Sequence, residues 1–339
     1  MHIAHLSAWR VPVELYGGSS RVVYWLAKAH AQLGHRVTLL APPGSSCPGV
    51  EVIEVPPGAV YGRYIPSDVD VAHLNGVGAQ DVTVPFLTTT HGNSPGELAY
   101  LPNKVYVSRD HARRGGSTVF AYNGVDPEEF IYRERKDDYL LFFSKVSRRV
   151  KGVDVALRLA RRLGCRLVVA GGTRFGLRKT GGFWDSLRAD VHFCGEVGGR
   201  RKAELLAGAR ALLFPIRWDE PFGLVVAEAM ISGTPVITTP RGAMPELVTP
   251  DVGFLCRDEP EMEDAIRRVG EISPAACRQR AMQHFSSTVC ARRYLEYYER
   301  LLAGCPLADE IGAHHASALT PSPMASTVAR TVPHDRRYP

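Results

Sequence analysis

Residues 211–232 read ALLFPIRWDEPFGLVVAEAMIS, and this run admits few folds. Its apolar start, 211–216, has the character of a short strand covered on both faces. Pro221 and Gly223 break the chain. An apolar helix then runs over 224–232 and ends at Gly233-Thr234-Pro235. A buried strand followed by a turn and a buried helix is one half of a parallel βαβ unit. In an open parallel sheet the turn after a strand is where ligands bind, and Glu220 stands on it. The N–H groups of Gly223 and Leu224 open the helix toward an anion or a polar hydroxyl. Glu228 lies two turns further along. A carboxylate beside sugar hydroxyls, amides beside phosphate and a carboxylate beside a ribose diol would together read a nucleotide sugar. Taken alone, Glu220 also fits a solvated carboxylate that complements the helix dipole.

The rest of the chain alternates strand and helix, twice over. The first half predicts strands at 2–7, 36–41, 50–55, 69–74, 86–90, 105–108 and 119–123. A helix over 19–33 is expected to be capped by Ser19 and closed by Gly34. The second half predicts strands at 139–144, 166–170, 191–194, 212–215 and 235–239, with helices at 153–163, 202–209 and 224–232. A chain of 339 residues, 45% hydrophobic, is long enough for two cores. The expected division is a first domain over 1–127, a charged hinge at 128–137, a second domain over 138–287, and a last helix within 288–305. That helix carries Tyr294, Tyr297, Tyr298 and Leu301 at packing intervals. Residues 306–339, rich in Ala, Ser, Thr, Pro and His, are expected to be disordered.

Composition narrows the function classes. No apolar run approaches the roughly eighteen residues of a membrane span, and 1–6 begin at once as a strand rather than a signal peptide. Seven scattered cysteines, none in a Cys-x-x-Cys pair, fit free thiols in a reducing cytoplasm. The net charge of +6 is modest. Its basic cluster over 145–202 includes Arg158, Arg161, Arg162 and Arg166, which read as a solvated helix face. A basic stripe with interleaved aromatics, as nucleic-acid binding would require, is not evident.

Glu220 and Glu228 resemble the Glu-x7-Glu motif of glycosyltransferase family 4, the retaining GT-B enzymes. Other segments resemble that family in the same order. They are Tyr16-Gly17-Gly18-Ser19-Ser20-Arg21-Val22-Val23, Asp70-Val71-Ala72-His73, Thr90-His91-Gly92 and Asn123-Gly124-Val125-Asp126. Val150-Lys151-Gly152-Val153-Asp154, Gly233-Thr234-Pro235-Val236-Ile237 and Pro245-Glu246 complete the series. Each motif is weak alone, and their ordered sum, across roughly residues 1–302, carries the resemblance. It implies an α/β GT-B fold with two Rossmann-like domains facing a cleft, and a last helix crossing back to the first domain. It further implies hexosyl transfer with retention, from a nucleotide-sugar donor to an acceptor hydroxyl on a glycan, a lipid-linked molecule or a small aglycone. Weak peripheral contact with an anionic membrane surface is compatible with what relatives in that family do.

By the same resemblance Glu220 positions the donor sugar, His91 contacts it near the reacting centre, and Glu228 holds the ribose. Gly17 and Gly18 permit close backbone approach, and Phe222, Gly223 and Leu224 stand on the donor side. Lys145 and Lys151 take the paired basic positions against the diphosphate. The sequence departs from the family pattern there: Ser144-Lys145 replaces Gly-Arg, so a point charge replaces a bidentate fork. The loop is also one residue longer, which brings Arg148 or Arg149 into the same role. Read without the family, these lysines fit surface charges and His91 fits a buried structural histidine. Asn75 stands where relatives often have a second His. The base pocket is expected near Gly195-Glu196-Val197 and Glu204.

Asp68-Val69-Asp70 leads straight into a strand and is discounted as a metal site, so no metal or other cofactor is expected. Two alternatives share this pattern: a GT-B phosphorylase or epimerase, and a non-catalytic subunit that binds a nucleotide sugar.

Overall fold

The computed structural model describes residues 1–15, 17–93 and 98–307. Two six-stranded sheets, each wholly parallel, form in succession. The first contains β1 (His2–Ser7), β2 (Arg36–Ala41), β3 (Glu51–Glu54), β4 (Val71–Asn75), β5 (Phe86–Thr90) and β6 (Lys104–Tyr106). Its helices are α1 (Gly18–Gln32) and α2 (Arg109–Arg114). The second contains β7 (Leu140–Phe143), β8 (Leu167–Ala170), β9 (Val191–Gly195), β10 (Ala211–Phe214), β11 (Val236–Thr238) and β12 (Gly253–Leu255). The helices of this half are α3 (Val153–Leu163), α4 (Phe183–Arg188), α5 (Gly199–Gly208), α6 (Leu224–Ile231), α7 (Met244–Leu247), α8 (Glu259–Arg268) and α9 (Pro274–Phe285), followed by α10 (Ser287–Leu302).

The strand orders are β3-β2-β1-β4-β5-β6 and β12-β11-β10-β7-β8-β9. Both are doubly wound: the order reverses between β1 and β4 in one sheet and between β7 and β10 in the other. This is the α/β two-domain GT-B fold. Central strands such as Ile3-Ala4-His5-Leu6 and Leu212-Leu213-Phe214 are buried on both faces, which is why they read as continuous apolar runs.

Several expectations fail locally. Residues 119–123 form no strand, because Phe120 makes only an isolated bridge to Tyr106 at the sheet's end. Ser19 does not cap α1: the helix starts one residue earlier and Gly17 occupies the cap with no side-chain bond. Leu307 is buried and its amide donates to Asn103 Oδ1 at 2.9 Å, so the ordered chain passes the expected start of the tail. Residues 308–339 lie outside the described residues. β12 and helices α2, α4, α7, α8 and α9 were not anticipated, being short or flanked by polar sequence.

α10 packs against α1 and carries Tyr294, Tyr297 and Tyr298 into the core of the first sheet beside Ile3, Leu26, Val71 and Leu87. A buried polar network fixes it there. His73 bonds the Tyr298 hydroxyl through Nδ1 and Thr89 Oγ1 through Nε2, both at 2.7 Å, and Thr89 Oγ1 meets the Tyr294 hydroxyl at 2.7 Å. His5 Nε2 lies 3.0 Å from His30 Nδ1, and His30 Nε2 lies 3.2 Å from the Ala291 carbonyl. Burial holds His5 down to about 3, and lowers His30 and His73 well below the ordinary histidine range.

The folded state therefore refuses protons that the unfolded chain accepts below 6.5. The contribution of these histidines is intact above that pH and is lost as pH falls toward the folded-state values. Each can remove about 1.4 kcal/mol per pH unit within that window. Thermal melts should show the midpoint falling clearly from pH 7 to pH 5. A flat midpoint over that interval would contradict the neutral network.

Candidate active site

A cavity opens where the two switch points face one another. Gly17, Gly18 and Arg21 line it from the first domain, and Phe143, Ser144, Lys151, Lys202, Phe214, Glu220, Gly223, Leu224 and Glu228 from the second. Lys151 ends a 3-10 turn, Arg149–Lys151, that follows β7. Gly152 closes this turn at φ 78, where a Cβ would stand 2.0 Å from the Pro215 carbonyl oxygen. Only glycine tolerates both the left-handed backbone and that approach. The result brings Lys151 Nζ to 2.5 Å from Glu220 Oε2. Trp218 Nε1 donates to the same oxygen at 2.8 Å, and the ammonium lies 4.6 Å from the Trp218 ring centre. Glu220 Oε1 has no protein partner among the described residues.

A second ion pair lies deeper. Glu228, 2% exposed, bonds Lys202 Nζ of α5 through Oε1. The Lys202 ammonium also lies 5.5 Å from the Phe143 ring and 5.6 Å from the Phe130 ring. Burial lowers the Lys202 pKa, against the opposing pull of Glu228. Lys202 did not stand out in the sequence. The signal was present, since it shares a helical stripe with Leu205, Leu206 and Ala209, where a lysine is out of place. Arg21 was likewise missed: it is buried and donates to the carbonyls of Glu14 at 3.2 Å and Leu15 at 2.9 Å.

Of the residues expected on the donor side, Gly17, Gly18, Lys151, Glu220, Gly223, Leu224 and Glu228 meet around this cavity. Gly223 precedes α6 at φ 89, and the helix begins at Leu224 with no side-chain cap. Phe222 turns away: it is 2% exposed and packs on Tyr122 and Phe285 in the core. The expectation that it touches the donor is corrected, since its ring closes the interior behind the turn. Lys145 and Arg148 lie on the preceding loop, outside the cavity wall, with Arg148 exposed. Glu204 faces solvent beside Arg200 and Arg201.

His91, at the end of β5, is also outside the wall. Its Nε2 meets Asn75 Oδ1 at 3.0 Å, and the Asn75 amide nitrogen donates to the His73 carbonyl at 3.3 Å. That assignment makes Nε2 the protonated nitrogen. Burial lowers the His91 pKa to about 4, so the imidazole is neutral at pH 7.

The Glu220 loop is held from the first domain. Asn93 Nδ2 donates to the Asp219 carbonyl at 2.8 Å and Ser108 Oγ to the Pro221 carbonyl at 2.6 Å. Glu246 accepts from the first amides of α2, Arg109 at 2.9 Å and Asp110 at 2.6 Å, and from the Tyr122 hydroxyl at 3.0 Å. On the other rim, a Cβ on Gly198 would lie 1.8 Å from the Glu14 carbonyl, so a bare backbone lets the domains touch. Asp70 accepts from the His2 amide, and Asp68 pairs with Arg36. Both are taken up by the rim of the first sheet. Among the described residues no group of three or more His, Cys, Asp or Glu is arranged to hold a metal.

Residues 137–271 match the family described as Glycosyl transferases group 1. The chain is similar to the phosphatidyl-myo-inositol mannosyltransferase of Mycobacterium tuberculosis, 25% identical over 84% of this chain and 93% of that protein. It is similar in structure to AviGT4, a glycosyltransferase involved in avilamycin A biosynthesis. That match has a TM-score of 0.74 and 28% identity, and covers 90% of this chain and 99% of the other. Anabaena HepE in complex with UDP shares the fold at a TM-score of 0.66 and 17% identity, covering 88% of this chain and 100% of that one. These likenesses support a GT-B glycosyltransferase.

The Lys202–Glu228 pair has a direct consequence for stability. Lys202→Met leaves a carboxylate buried without its counter-ion, which costs about 3–5 kcal/mol. Urea unfolding should show a lower midpoint at unchanged slope, and Lys202→Met with Glu228→Gln should regain most of the loss. A single variant as stable as the parent would remove the pair from the core's accounting.

Proposed function

We propose that this protein is a retaining glycosyltransferase of family 4 that moves a hexosyl group from a nucleoside-diphosphate sugar to an acceptor hydroxyl. The observation that carries this reading is the Lys151–Glu220 pair at the switch point, with Glu228 and Lys202 behind it. The UDP held by the structural neighbour HepE supports a nucleotide donor. The mycobacterial relative's name makes a mannosyl group and a lipid-linked inositol the first pair to try.

The chemistry follows from charge. Arg21, Lys151 and Lys202 face Glu220 and Glu228, so the cavity wall carries one more cation than anion. A departing diphosphate gains negative charge as the bond from sugar C1 to phosphate oxygen breaks. Lys151 exchanges its Glu220 partner for a phosphate oxygen, with the amides opening α6 beside it. Glu220, released, accepts hydrogen bonds from sugar hydroxyls and orients the ring. Glu228 shares its carboxylate between Lys202 and the ribose diol. The acceptor oxygen bonds C1 on the face the phosphate leaves. Its proton passes to the leaving phosphate oxygen, so no protein nucleophile is consumed. His91, neutral and steered by Asn75, contacts the sugar from the first domain. Lys145 and Arg148 reach the diphosphate by loop closure. Catalysis then needs no metal.

Glu220→Gln keeps the shape and removes the charge. With nucleotide sugar in excess, turnover, including slow donor hydrolysis without acceptor, should fall about a hundredfold or more while the thermal midpoint holds. Turnover near that of the parent would take Glu220 out of the mechanism.

Activity should also survive EDTA, with added magnesium changing it only modestly. Complete loss in EDTA, restored by magnesium or manganese, would overturn the metal-free reading.

A further inference from the structure

The second domain has one face that its own fold leaves uncovered. α4 and the 3-10 turn Arg174–Arg178 pack side by side, with Leu177 and Ser186 turned inward. An amphipathic segment should present polar residues outward. Here the outward residues are Phe175, 72% exposed, Trp184, 71% exposed, and Leu187, 50% exposed. In α4, Trp184, Leu187 and Arg188 fall at i, i+3 and i+4, which places them on one stripe.

Exposed cations outnumber exposed carboxylates around this apolar group, Asp190 being the one exposed acid over residues 174–190. Arg178, Lys179 and Arg188 are exposed, and none forms an ion pair among the described residues. The neighbouring helix behaves differently. Arg158 and Arg162 of α3 are neutralised by Glu259 of α8, and Arg162 also by Glu263. The one carboxylate of α4, Asp185, is taken by Arg161. Three exposed cations outside any ion pair among the described residues thus stand on the segment that also exposes aromatic and aliphatic side chains.

We propose that this face docks on an anionic lipid bilayer. Trp and Phe suit the headgroup–acyl boundary, where an amphipathic ring has one side apolar and one side wet. Leu187 enters the acyl region, and the cations meet lipid phosphates or carboxylates. Neither element suffices alone: a small apolar patch and a basic cluster each bind weakly, and together they give reversible attachment. The face also adjoins the cleft, since Gly172 and Gly176 pack against Val146 on the loop that carries Lys145 and leads to Lys151. Docking would therefore set the donor-side rim at the lipid surface. The proposal does not rest on the transferase reading, because binding is measured without turnover.

The test is flotation of the whole chain with vesicles of phosphatidylcholine containing about one-third phosphatidylglycerol, against phosphatidylcholine alone. The expected result is binding to the anionic vesicles, at least tenfold weaker on neutral ones and reduced by high salt. Phe175→Ser with Trp184→Ser should lower anionic binding at least fivefold while thermal midpoint and donor hydrolysis stay as in the parent. Brominated lipid should quench tryptophan emission, and Trp184→Phe should remove that quenching while retaining flotation. Failure to bind anionic vesicles, equal binding to both vesicles, or unchanged binding by the double Ser variant would overturn the proposal. So would binding to a single-stranded oligonucleotide in place of vesicles, abolished by the same substitutions.

Discussion

The Lys151–Glu220 pair can form only when two separate pieces of chain are already in place. Lys151 needs the tight turn after β7, and that turn needs Gly152 against the Pro215 carbonyl at the end of β10. Glu220 needs the turn between β10 and α6, and Trp218 fixes its carboxylate from below. A water-exposed pair of this kind would contribute little. Here the Lys151 and Glu220 side chains are 8% and 12% exposed, and both partners face a cavity. The interaction is strong enough to order the site and remains exchangeable for a ligand's charge. The deeper Lys202–Glu228 pair is more completely desolvated and is the more structural of the two.

The site's geometry rests equally on how the domains are joined. α10 leaves the second domain and enters the core of the first, where His73, Thr89, Tyr294 and Tyr298 bond to one another out of water. Such a network is costly if one member is lost and specific when complete. At the cleft itself the contacts are polar and local: Asn93 to the Asp219 carbonyl, Ser108 to the Pro221 carbonyl, Glu246 to the first amides of α2. The buried side is therefore fixed, while the cleft side is stitched by a few hydrogen bonds that a ligand-driven shift could exchange.

Sequence order alone pointed to much of this. Doubled strand–helix alternation and the ordered motifs led to a GT-B fold, and the glycines and carboxylates around 220–228 pointed to one cleft. Lys202 and Arg21 escaped because each sits on a helix in an otherwise ordinary apolar pattern, and their partners lie 26 residues away or in backbone carbonyls. Phe222 was misplaced for the converse reason: a neighbour of Glu220 in sequence points to the opposite side of the turn. The strand expected at 119–123 had the right composition but meets the outer edge of β6 only through the single bridge from Phe120 to Tyr106.

What the sequence by itself determined is the local chemistry: which strands are buried, where turns need glycine, and which charged groups stand at helix starts. These follow from side-chain character over a few residues, and they survive any arrangement of the domains. Only the tertiary structure decided which charge meets which. It sent Glu228 to Lys202, turned Glu246 into a clamp on α2, and left Trp184 and Phe175 facing outward. Those outcomes depend on distances between segments far apart in the chain. Burial, which sets the strength of every charge in the site, exists only once both sheets are packed.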